Sequence, residues 1–113
     1  MPVPIIDVII PAFNEQEAVG FVVCDIPKDL VRHIVVVNNA SSDKTSEMAR
    51  AAGAIVVDQP ERGYGNACLK GIAQVAKHQP LPDIVVFIDA DNSDHPEQMT
   101  EVVAPILEEY LIS

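Results

Sequence analysis

Asp89-Ala90-Asp91 is the segment whose residue types and spacing specify chemistry most directly. Two carboxylates bracketing a small residue, at the end of the apolar run Ile84 to Ile88, can share one hard divalent cation. Mg2+ or Mn2+ held there would bridge to the oxygens of a diphosphate. A solvated acidic turn, with Asp94 capping the next helix, is the plainer alternative. Arg62-Gly63-Tyr64-Gly65-Asn66 is a second candidate. Gly63 and Gly65 let a ligand approach the backbone closely, a helix starting there favours an anion, and Arg62 offers a two-pronged donor to phosphate. A simple turn also explains the two glycines. No Gly-Lys-Ser/Thr follows, so this is not a P-loop, and its place after the third apolar run separates it from the dinucleotide fingerprint. Asn38-Asn39 can read a nucleobase edge, since an amide both donates and accepts, or can merely make Asx turns. Asn14-Glu15 could likewise be a helix start, with Glu15 an ordinary first-turn acid. His33 and His78 read as surface or boundary residues, whereas His95 lies close to the acidic pair.

The elements that must position these residues follow from hydrophobic patterning. Pro4 to Ile10, His33 to Val37, Ala54 to Val57 and Asp83 to Ile88 are Val- and Ile-rich runs without alternation, which predicts strands buried on both faces. Helical spacing occupies the intervals. Glu15 to Val23 places Ala18, Val19, Val22 and Val23 on one side and stops before Pro27. Lys44 to Ala52 opens at Ser42 or Asp43 and closes at Gly53. Gly65 to His78 carries a wide apolar face from Ala67, Cys68, Leu69, Ile72, Ala73, Val75 and Ala76. A last helix begins near Asp94 or His95, with Pro96 in its first turn, presents Met99, Val102, Val103, Ile106, Leu107 and Tyr110, and kinks at Pro105. The order β-α-β-α-β-α-β-α demands parallel strands and right-handed crossovers, hence a three-layer, Rossmann-like α/β sheet. Ligands of such sheets gather outside the carboxyl ends of the strands, which is where all the candidate residues fall. The strand-starting ends look unremarkable.

Composition narrows the function classes. The 113 residues hold 17 acidic and 7 basic side chains, a formal charge of −10, with 49% hydrophobic residues. That is enough apolar material for one packed domain and excludes a disordered segment. The negative excess repels nucleic-acid backbones and anionic bilayers, so an anionic ligand needs local help, such as a cation. Cys24 and Cys68 fit no zinc-site or CxxC spacing and read as buried reduced thiols. No apolar run approaches the roughly 20 residues of a membrane span, and no secretory leader precedes Met1. A soluble, cytoplasmic protein is the expectation.

Four ordered stretches resemble one family: Val8 to Glu15, Val35 to Thr45, Arg62 to Ala67, and Phe87 to Asp91 followed by His95-Pro96-Glu97. Together they are similar to the family 2 glycosyltransferases of the GT-A fold, and the last stretch resembles the dolichol- or polyprenyl-phosphate sugar transferase branch. The resemblance implies that Pro11, Phe13 and Glu15 hold the nucleotide, that Asn38 meets the base, and that Arg62, Gly63 and Gly65 lie beside the donor. It implies that Asp89 and Asp91 hold Mg2+ or Mn2+ against the diphosphate, with Ser93 at the place of a third ligand. Asn38-Asn39 stands where the family usually has Asp-Asp, and Phe13 keeps the stacking face of the common Tyr without its hydroxyl. The implied reaction transfers a hexose from a UDP- or GDP-linked sugar to an acceptor such as a lipid phosphate.

Family members continue past the last helix, so residues 1–113 correspond to the nucleotide-sugar-binding half of the domain without the acceptor-binding half, and no catalytic base is identified. The open sheet edge would allow a homodimer. A non-catalytic nucleotide-binding or assembly module of the same descent is the alternative. A sugar nucleotidyltransferase is disfavoured, because Pro11 to Glu15 lacks a glycine-rich nucleotide loop.

Overall fold

The structure, a computed structural model, describes residues 4–90. Asp91, Ser93, His95 and the last expected helix lie outside the described residues. Strands β1 (Ile6–Ala12), β2 (His33–Asn38), β3 (Ile55–Asp58) and β4 (Ile84–Phe87) alternate with helices α1 (Val19–Asp25), α2 (Thr45–Ala51) and α3 (Tyr64–Val75). The strands form one parallel sheet in the order β3-β2-β1-β4.

Side-chain alternation divides the core into two layers. Val8, Ile10, Ile34, Val36 and Val86 face Val19, Val22 and Val23 of α1 and Ala49 of α2. Ile9, Val35, Val37 and Val85 point the other way, onto Ala67, Ile72 and Val75 of α3. This is the expected three-layer arrangement. Each fully buried Val or Ile contributes about 1.5–3 kcal/mol relative to exposure, so the two central strands dominate stability. The expectation of two buried faces holds for β1 and β2, whereas β3 is only half-buried: among the described residues it pairs with β2 alone.

Several element boundaries differ from the pattern-based reading for local reasons. α1 starts at Val19 rather than Glu15, because the Glu15 carbonyl accepts the N–H groups of both Ala18 and Val19 and closes a turn first. The N–H of Thr45 bonds to Oδ1 of Asp43 at 3.0 Å, so Asp43 supplies the helix-opening acceptor at α2. Past α2, Gly53 takes φ +101°, with Gly53 N–H on Arg50 O and Ala54 N–H on Ala49 O. These two bonds form a Schellman stop, as the glycine predicts.

The apolar face of α3 is narrower than its sequence suggests: Leu69 is 45% exposed, while Gly71 is buried. A Cβ at Gly71 would lie 2.4 Å from Cγ2 of Ile9, so α3 packs on β1 at a distance only glycine permits. Cys24 and Cys68 are both free thiols. Contrary to expectation, neither is fully buried: Cys24 is exposed, turned outward beside the core residue Val23, and Cys68 is half-buried. Among the described residues, no helix is long and apolar enough to cross a membrane.

Candidate functional site

Parallel pairing in register brings the carboxyl ends of the strands to one rim: Ala12 lies beside Asn38, and Asn38 beside Asp58. The first two loops are laced together there. The Asn14 N–H donates to Oγ of Ser41 at 2.9 Å, and Oδ1 of Asn14 accepts the Ser42 N–H at 2.9 Å. The Glu15 N–H donates to Oγ1 of Thr45 at 2.9 Å, and the Gln16 side-chain oxygen accepts the Lys44 N–H at 3.1 Å. Asn14 and Ala40 turn the loops with left-handed backbone, φ 51° and 64°.

Asn39 joins the third loop to this frame. It is 5% exposed; its amide nitrogen donates to the carbonyls of Gln59 at 2.9 Å and Glu61 at 2.7 Å, and its oxygen accepts the Gly63 N–H at 2.9 Å. Its backbone N–H bonds to Ala12 O at 2.8 Å. Asn38, by contrast, points toward α2: it donates to Oγ of Ser46 at 2.6 Å and accepts the Ser41 N–H at 3.0 Å. Both amides thus shape loops.

The result is a cleft of ≈ 200 Å³ bounded by Pro11, Phe13, Asn39, Arg62, Gly63 and Tyr64. The Arg62 guanidinium lies 3.5 Å from the Phe13 ring centroid, a cation–π contact on one wall. Gly63, φ +135°, is the N-cap of the 12-residue helix α3, and Gly65 sits in its first turn with open space where a side chain would project. Pro11, Phe13, Arg62 and Gly63 therefore meet, while Asn38 and the half-buried Glu15 belong to the β1–α2 side of the rim. Asp89 is exposed beyond β4. Burial pushes the Cys68 thiol up; a bond with Tyr64 opposes this, and the Asp89 charge adds to it. The Asp89 carboxylate carries the hard oxygen donors that Mg2+ and Mn2+ take.

The sequence profile of glycosyl transferase family 2 matches residues 7–113. The chain belongs to this family. An uncharacterized protein of Methanocaldococcus jannaschii is 39% identical over 101 residues, covering 88% of the chain and 41% of that protein. Glucosyl-3-phosphoglycerate synthase of Mycolicibacterium smegmatis is 32% identical, covering 90% of the chain and 36% of the synthase. The crystal structure of the Mycobacterium tuberculosis synthase with Mn2+, UDP-glucose and phosphoglyceric acid superposes with a TM-score of 0.68 at 36% identity. That superposition covers 82% of this chain and 36% of the synthase. The family 2 chain therefore shares the GT-A fold and spans about two-fifths or less of the length of these relatives.

The opposite end of this family 2 sheet corrects the expectation that strand starts are unremarkable. Asp7 of β1 is fully buried. Its Oδ1 accepts from Arg32 Nε at 3.2 Å and the His33 N–H at 3.1 Å; its Oδ2 pairs with Arg32 Nη2 at 2.7 Å and His78 Nδ1 at 3.2 Å. Burial pushes the Asp7 carboxyl up, but the bonds from Arg32 and His78 outweigh it and hold the group below its ordinary value. The bond to Asp7 raises Arg32, and burial lowers His33. His33 and His78 are half-buried, as boundary residues should be, but not lone: their rings pack at a tilt of 56°, centroids 4.4 Å apart. The signal was present in the sequence: a single acid inside an apolar strand needs partners.

Proposed function

We propose that the rim cleft binds a nucleotide diphosphate sugar and that the chain is the donor-binding half of a hexose-transferring glycosyltransferase. The observation that carries this reading is the meeting of Phe13, Arg62 and the Gly63 start of α3 in one cleft. Phe13 offers a flat apolar face to a base. Arg62, which covers the other face of that ring, supplies a planar two-pronged donor for diphosphate oxygens, and the first N–H groups of α3 add partial positive charge. In a chain of net charge −10 these are the groups that make an anionic ligand tolerable.

Asp89, with Asp91, would hold Mg2+ or Mn2+ at this rim. When bound, the ion supplies charge stabilisation for the departing diphosphate. A uridine nucleotide is the favoured donor, in keeping with the UDP and UDP-glucose complexes of the mycobacterial synthase. The acceptor carries a phosphate group: the Asp-Ala-Asp…His-Pro-Glu resemblance favours a polyprenyl phosphate, and the synthase relatives favour a small phosphorylated acid.

Calorimetry with UDP-glucose and GDP-mannose, with and without Mn2+, tests the donor. UDP-glucose binds with Mn2+, and Asp91→Ala abolishes the Mn2+-dependent affinity without changing the circular dichroism of the fold. Failure of both nucleotides to bind, with or without metal, refutes the reading. Transfer from UDP-glucose to a polyprenyl phosphate or to 3-phosphoglycerate then separates the acceptors; donor binding with no transfer to either supports the non-catalytic module.

A further inference from the structure

We infer that the strand-starting end of the sheet holds a second divalent-metal site, for a zinc-type ion bound by Asp7, His33 and His78, independent of the donor cleft. Two of the donor pairs, made through different oxygens of Asp7, already lie near the spacing it needs. Tetrahedral zinc with bonds of about 2.0–2.1 Å sets its ligand atoms about 3.3–3.4 Å apart. Here His78 Nδ1 lies 3.2 Å from Asp7 Oδ2 and His33 Nδ1 lies 3.5 Å from Asp7 Oδ1. All three ligand atoms fall within 4.8 Å of one another.

The decisive atom is Nδ1 of His33, which is buried and makes no hydrogen bond. A neutral imidazole presents a lone pair at one of its two nitrogens, as a ligand must. With the lone pair at Nδ1, that nitrogen and the carboxylate oxygen repel each other, and a cation between them turns the mismatch into two bonds. At His78 the ion would take the place of the hydrogen bond to Asp7. Two imidazoles and one carboxylate suit Zn2+ better than Mg2+ or Ca2+.

Arg32 grips both oxygens of Asp7 and fixes the carboxylate's orientation, while its charge keeps the affinity modest. Asp7 and Ala12 are five steps apart along β1, about 16 Å at 3.3 Å per residue, so this ion would not touch a diphosphate at the rim. Bound there, it would clasp the starts of β1 and β2 to the segment that follows α3.

Titration of the chain with Zn2+, without nucleotide, tests the site by calorimetry, thermal unfolding and imidazole 15N resonances. One ion binds, the melting temperature rises, and the Nδ1 signals of His33 and His78 shift together. His33→Gln and His78→Gln each lower the zinc affinity at least about tenfold. UDP affinity in Mg2+ stays unchanged in both variants. Unmoved His33 and His78 resonances, with zinc taken up only at His95 or the cysteines, overturn the inference, as does a zinc affinity in both variants equal to that of the unsubstituted chain. The resonances are read on the unsubstituted chain, so they decide even where a variant does not fold.

Discussion

At the carboxyl ends of the strands, polar side chains bond mainly to backbone of neighbouring loops, as Asn14, Gln16 and Asn39 do, and leave an open cleft between them. At the amino ends, Asp7 accepts from Arg32, the His33 N–H and His78, and the carboxylate is sealed from water. The same parallel sheet thus uses polarity in two ways. One rim spends hydrogen bonds on shaping main chain so that ring faces, a guanidinium and a helix start remain for a ligand. The other turns charges on one another, so its chemistry is read as stability.

The sharpest way to break this contrast is to remove the buried acid. Asp7→Ala strands Arg32 and should cost ~3 kcal/mol in urea denaturation, while the folded fraction keeps its nucleotide affinity. Loss of nucleotide affinity per folded molecule would erase the distinction between the rims. Asn39→Ala tests the one residue that belongs to both categories: it leaves the Gly63 N–H and two carbonyls without their partner and should cost ~2 kcal/mol. UDP affinity falls with it, because Arg62 and Gly63 lose their tether.

Arg62→Ala should leave the urea midpoint nearly unchanged and weaken UDP-glucose binding about tenfold, the size of one charge-assisted hydrogen bond. The smallest effect is acid sensitivity. His33 titrates below its ordinary 6.5, so the unfolded chain binds the proton more readily. Its contribution is complete above pH 6.5 and is lost as the pH falls through the lowered folded value. Melting temperatures between pH 8 and 5 should decline less steeply in His33→Gln than in the parent chain.

Much of the architecture was legible because a parallel sheet leaves its mark in sequence: unbroken Val and Ile runs, a glycine closing α2, and loops rich in Asn, Asp and Gly at one end only. What pattern could not decide was direction. Asn38 and Asn39 are chemically identical, yet one turns toward Ser46 and the other toward the third loop, because consecutive residues at a strand end point to opposite faces. The apolar count along α3 likewise overstated its buried face, since Gly71 lies against Ile9 while Leu69 stands exposed. The Asp7 cluster escaped for another reason. Asp7 and His78 are 71 positions apart, and neither belongs to a motif; only the fold brings them together.

The contact between Gly71 and Ile9 has a mechanical corollary. α3 is a stiff rod whose fulcrum is a missing methyl group in mid-sheet, and its far tip is the turn at Gly63 and Tyr64. An alanine at the fulcrum would pry the rod off the strand and swing that tip out of alignment with Asn39. An apparently remote packing change would thus surface as blurred ligand discrimination before it surfaced as unfolding.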